Sequence, residues 1–222
     1  MTWGVDGIFG GLARLRGGKP IHKPGRVYDA RLLRRGGGTW GVPWLDEPGE
    51  DTGVVRLSRG AGLPRPLPDV LGLAFGFTTA GGARHDLLLS TGGTGRFTRH
   101  LLVPRRDPLR SEYSTLFPYR SGDLRVTITA RPRPVCRGGP LFLLHAAVPG
   151  GTARELGLLV LDAARGDEPI AFDPVLHPLP GLTLPGPIAA LRAGAYRGAR
   201  AARGRALDEV PVSAPTPPLT LR

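Results

Sequence analysis

Three residues near the C-terminal end of the chain have the types and spacing for ligand chemistry. Arg192, Tyr196 and Arg203 lie at i, i+4 and i+11, which at about 100° per residue puts them within about 40° of one another on a helix. A cation one turn from a phenol favours the phenolate. An amphipathic helix with a packed tyrosine and solvated arginines produces the same triplet, because Ala/Arg-rich helices generate it often. Other combinations carry less. The five histidines, His22, His85, His100, His145 and His177, never stand at i, i+3 or i+4 from one another, so no element offers a paired metal site. His100 with Asp86 and Ser90 could form a hydrolytic triad, yet the chain lacks the Gly-x-Ser-x-Gly turn that exposes a serine nucleophile. Cys136 has cationic neighbours but no adjacent base.

The elements that must position these side chains change character along the chain. From Val27 to about Leu161, short apolar segments alternate with Gly/Pro-rich turns, the pattern of an all-β sandwich or barrel. Strands are expected near Val27–Leu33, Gly53–Ser58, Leu71–Phe77, Asp86–Ser90, Arg99–Val103, Arg125–Ala130, Leu141–Val148 and Arg154–Leu161. Eight strands can close into a barrel with no exposed edge. After Pro187 the residues favour helix, and Pro187 suits a first helical position, so a C-terminal helix is expected from about Pro187 to Arg203. Gly194 and Gly198 weaken it. Residues 1–25 read as an N-terminal extension, 26–205 as the barrel with its helix, and 206–222 as a disordered Pro-rich tail.

Composition removes several function classes. Lys+Arg is 30 against 18 Asp+Glu, a net charge of +12, but only Lys19 and Lys23 are lysine. Arginine series such as Arg105, Arg106 and Arg110 could meet phosphate, but a nucleic-acid reader interleaves aromatics with its charge. A solvated basic face is the plainer reading, and nucleic acid is not the expected partner. One cysteine excludes an internal disulfide framework and thiolate metal clusters. No apolar stretch is long enough to span a membrane and the first twenty residues lack a signal-peptide core, so a cytoplasmic protein without a membrane partner is expected.

The C-terminal stretch also matches a pattern. Ala171-Phe172-Asp173-Pro174, the turn Pro180-Gly181, then Arg192 and Tyr196 resemble the haem-ligand segment of monofunctional haem catalases, without a gap, and an arginine follows seven residues after the tyrosine, at Arg203. Upstream, Arg26-Val27-Tyr28-Asp29-Ala30, Val54-Val55-Arg56-Leu57-Ser58, Pro68 to Phe75 and Asp86 to Ser90 match further catalase segments in order. The resemblance covers about Arg26 to Arg203, with shorter loops. It implies a mainly β, closed antiparallel eight-stranded catalase-like barrel with a C-terminal helix, carrying haem b. It further implies Tyr196 as the ligand of the ferric iron, Arg192 as the residue that keeps it a phenolate, and Arg26, Arg56 and Arg203 as partners of the haem propionates. Tyrosinate is an axial ligand of some haem proteins, and guanidinium binds carboxylates through paired donors.

The match departs where catalysis occurs. Asp29 stands where the family has its distal histidine, and Ser90 where it has an asparagine, with Ser58 on the same side. Splitting a peroxide needs a group that takes a proton from one oxygen and returns it to the other, which imidazole does well near neutral pH. The expectation is therefore a haem-binding protein with weak peroxidase action on hydrogen peroxide or organic hydroperoxides, with homo-oligomerisation left open. The alternatives are a haem-free barrel that binds a ligand or nucleic acid, and a hydrolase of phosphodiesterase type, for which the sequence supplies no metal cluster.

Overall fold

The computed structural model describes residues 25–79, 81–92, 101–134, 139–148, 151–168 and 170–186. The strands are β1 (Gly25–Arg35), β2 (Pro48–Arg59), β3 (Leu71–Thr78), β4 (Arg84–Ser90), β5 (Tyr113–Ser114), β6 (Tyr119–Ser121), β7 (Leu124–Arg133), β8 (Leu141–Ala147) and β9 (Arg154–Gly166). One four-residue helix, α1 (Pro43–Asp46), lies between β1 and β2. Among the described residues no helix is long and apolar enough to cross a membrane.

All ladders are antiparallel, and the ring β1-β2-β3-β4-β5-β7-β8-β9 returns to β1. The molecule is thus mainly β, with a closed eight-stranded barrel. β6 adds a hairpin to the end of β7 through the turn at Gly122-Asp123. The expected strand at Arg99–Val103 is not a stave of this barrel. Of its described part, Leu102 makes an isolated bridge to Gly92 and Leu101 is largely exposed. The two residues of β5 take the place instead, because the Tyr113 ring enters the interior against Phe142 and its hydroxyl donates to Pro108 O at 2.7 Å. Two residues are too few for an alternation to be read from sequence. The stretch expected to form a C-terminal helix, with Arg192, Tyr196 and Arg203, lies outside the described residues, as do the N-terminal 24 residues, the Pro-rich tail, His22, His100 and Cys136.

Alternation decides which side chains fill the barrel, since successive residues of a strand face opposite sides. Tyr28, Ala30 and Leu32 of β1, Val55 and Leu57 of β2, and Leu71, Leu73, Phe75 and Phe77 of β3 point inward and are buried in one apolar cluster that includes residues of every barrel stave. Each fully buried leucine or phenylalanine contributes about 2–3 kcal/mol of transfer free energy. One end is closed by α1, whose Trp44 stacks on Phe77 at 5.6 Å, and by Leu179 and Leu182 from the chain after β9. Away from the barrel ends, where Asp51 and Arg59 are buried, the interior is a packed apolar core, and polar side chains of β1 to β4 are displaced to the outer face.

Candidate functional site

That displacement brings four of the residues singled out by sequence onto one surface. Their inward neighbours Tyr28, Val55, Leu57 and Leu89 are core residues, so Asp29, Arg56, Ser58 and Ser90 face outward. Register sets them in three rows across β1 to β4: Gly25, Ser58, Gly72, Ser90; then Val27, Arg56, Ala74, Leu88; then Asp29, Val54, Gly76, Asp86. Strands are about 4.8 Å apart, so Ser58 and Ser90 stand about 10 Å apart on either side of Gly72. β3 offers no side chain larger than a methyl here. A Cβ on Gly72 would come 2.8 Å from Ser58 Oγ, so a side chain there would push the Ser58 hydroxyl aside.

Apart from Arg56 the middle row is apolar, and together with Val54 it is roofed by the chain that follows β9. Ile170 and Phe172 pack on Val27, Val54, Ala74 and Leu88 in a second, smaller core outside the barrel. Phe172 belongs to the Ala171-Phe172-Asp173-Pro174 motif, so this motif docks on the face that carries Asp29, Arg56, Ser58 and Ser90. Asp86 anchors it. The buried Asp86 Oδ2 accepts the Asp173 N–H at 2.6 Å, while Arg84 donates to Asp86 Oδ1 at 3.2 Å and to Ala171 O at 2.6 Å. Asp86 N–H in turn donates to His177 O at 2.9 Å. Asp173 accepts the N–H groups of Val175 and Leu176 and so closes the next turn. Gly76 leaves room beneath, since a Cβ there would lie 3.1 Å from the Phe172 ring and 2.9 Å from Asp86 Oδ1. Burial pushes the Asp86 carboxyl up, against the opposing pull of the Asp173 N–H, Arg84 and His177.

The charged residues of the face are engaged. Asp29 pairs with Arg165 at 2.5 Å, and Arg165 reaches Glu168 at 3.9 Å. Arg56 Nη2 holds Asp167 Oδ1 at 3.1 Å. Arg165 and Asp167, from the end of β9 and just beyond it, thus tie the chain to β1 and β2. Arg26 is exposed, and Ser58 and Ser90 are half-buried. Sequence reasoning missed Arg84, Arg165 and Asp167 and saw Asp86 only as a member of a possible triad and as the start of a matching segment. Nothing in the local sequence marks them, because their partners lie far along the chain: 87 residues separate Asp86 from Asp173.

Among the described residues no three His, Cys, Asp or Glu side chains are grouped to hold a metal ion. Asp86, the acid of the possible triad with Ser90 and His100, is committed to Asp173 and Arg84. No protein-family model matches the chain, and no curated protein matches it.

Proposed function

We propose that this chain is a cytoplasmic, haem-binding barrel protein related to catalases, with at most slow peroxide chemistry. One observation carries the reading: residues assigned by the resemblance from three separate strands share one outer face, and the segment leading to Arg192 and Tyr196 docks on that face. Two features of the face suit a planar, carboxylate-bearing group such as haem b. The outer surface of β3 at Gly72, beyond the Ile170–Phe172 roof, has low relief, and Arg56 already holds a carboxylate, that of Asp167.

In this reading Tyr196 is the iron ligand, Arg192 keeps it ionised, and Arg26, Arg56 and Arg203 hold the propionates, with Arg56 exchanging Asp167 for one of them. Ferric haem supplies the redox centre for peroxide reduction. Ser58 and Ser90 can donate hydrogen bonds to a peroxide oxygen. Asp29 is the poor member, because its carboxylate is engaged with Arg165, so moving a proton through it first requires breaking that pair. Turnover is accordingly slow.

Addition of hemin to the purified protein tests this. Stoichiometric uptake with the absorption pattern of high-spin ferric tyrosinate is expected, lost in Tyr196→Phe and weakened about tenfold in Arg56→Gln, as for loss of a charge-assisted bond. An unchanged spectrum in Tyr196→Phe removes the ligand assignment. No uptake turns the reading to a haem-free ligand- or nucleic-acid-binding barrel.

A further inference from the structure

The connection between β2 and β3 is built with unusual care for a surface loop. Residues 61–68, Ala-Gly-Leu-Pro-Arg-Pro-Leu-Pro, are all exposed, yet their base is locked by a buried ion pair. Arg59 and Asp69 lie 3.7 Å apart with side chains 6% and 0% exposed. Arg59 Nε donates to Leu63 O at 3.0 Å and Nη2 to Leu67 O at 2.5 Å. Asp69 accepts the N–H groups of Ala61 and Leu63 at 2.8 and 3.0 Å. Three prolines restrict the rest. What this framework holds out is apolar: Leu63 is 42% exposed and Leu67 49%.

Cations surround the tip. Arg65 lies between the two leucines. Asp69 and Arg105 exchange both backbone hydrogen bonds, at 2.8 and 2.7 Å, which fixes Arg105 and Arg106 beside the foot of the loop. Arg65, Arg105 and Arg106 are exposed and make no ion pair among the described residues. Nearby, Asp107 is shared with Arg110 at 3.6 Å. Exposed single leucines are ordinary on protein surfaces. Two on one rigid loop, flanked by uncompensated arginines, are not.

We infer that this loop is a docking tip for an anionic lipid surface, with Leu63 and Leu67 entering the headgroup–acyl boundary while Arg65, Arg105 and Arg106 meet lipid phosphates and carboxylates. Charge complementarity favours this occupant: basic residues beside a negatively charged leaflet are attracted, and apolar side chains inserted between them add a contribution that salt does not screen. A protein partner fits less well, since a stable interface needs about 800 Å² per partner and an eight-residue protruding loop presents no groove. The tip associates with a membrane without spanning it.

The test is co-sedimentation of the full chain with vesicles of phosphatidylcholine alone and with about a third phosphatidylserine. Binding to the anionic vesicles only is expected, falling as salt rises. Loss of about tenfold is expected in Leu63→Ser/Leu67→Ser and in Arg65→Gln/Arg105→Gln/Arg106→Gln. Both variants alter only exposed side chains, and unchanged urea midpoints verify their folding. Equal binding to both vesicle types, or none to either, overturns the proposal. So does a leucine variant that keeps full binding, which, together with equal binding to an RNA homopolymer, would show a general polyanion surface.

Discussion

The two sides of the barrel are joined to different standards. β1 and β2 stay in register over the whole length of β1, from Gly25 to Arg35, whereas β5 meets β4 only at Ser90–Ser114 and β7 only at Tyr113–Ala130 and Ser114–Thr129. Charge follows the same division. On the first side Arg31, Arg34, Arg35, Arg56, Arg84 and Arg165 each hold a carboxylate. On the second, Arg131 holds Glu112 at 2.8 Å, but Arg120 and Arg125 stand directly opposite each other across the β6–β7 hairpin and make no ion pair among the described residues. Closure, then, does not require a long strand at every joint. At the short seam an inserted ring substitutes for the missing ladder, and at β6 the chain after β9 is held by backbone hydrogen bonds between Arg120 and Thr183, both at 2.8 Å, rather than by charge.

The largest effect should come from the ring at the seam. Tyr113 is fully buried, contacts Phe142 edge-on at 5.8 Å and bonds to Pro108 O. Tyr113→Ala should cost about 3–5 kcal/mol, read from the urea midpoint. A cost near 1 kcal/mol would show that the seam is held by something other than this ring.

Arginines on the two sides should respond with opposite signs. Arg34 donates to the buried Asp51 at 2.8 Å, and Trp44 Nε1 donates to the same oxygen at 2.9 Å. Arg34→Gln leaves that carboxylate without its cation and should cost about 3 kcal/mol. Arg125→Glu replaces a like-charge cross-strand pair with an attractive one and should stabilise by about 0.5 kcal/mol. Equal small losses in thermal unfolding would erase the contrast.

The smallest and most specific test is the sign of the pH dependence. Burial raises the Asp86 pKa above its ordinary 3.8, so the folded state binds this proton more tightly than the unfolded chain. The associated stability is full below 3.8 and is lost as pH rises through the folded value. His145, on β8, is shifted the other way: burial first and then Arg131 lower its pKa below 6.5, against Glu155, with Arg133 adding to the lowering. Its contribution is present above 6.5 and lost as pH falls through the folded value. Melting temperature against pH should therefore lose a falling slope in Asp86→Asn and a rising slope in His145→Gln. Slopes of the same sign in both would refute the assignment of these groups to opposite behaviours.

Much of the barrel was legible because strand alternation is a local property. Tyr28, Ala30 and Leu32, or Leu71, Leu73, Phe75 and Phe77, announce an inward face from spacing alone. The seam was not legible, since two residues carry no period and the apolar Leu101-Leu102-Val103 offered a more convincing strand than Tyr113-Ser114. For the candidate site, sequence supplied Asp29, Arg56, Ser58 and Ser90 as members of matching segments. It could not supply what each one touches.

By itself, then, the sequence determined the fold class, most of the strands and which side chains must leave the core, because burial of apolar residues at a period of two leaves little choice. Only the tertiary structure decided that Asp29 is engaged by Arg165, that Arg56 holds Asp167, and that Asp86 anchors the Phe172 segment over the outer face. Ion pairs and hydrogen bonds between residues so distant in the chain depend on strand order and register, and those are fixed by the closure of the whole barrel rather than by any segment within it.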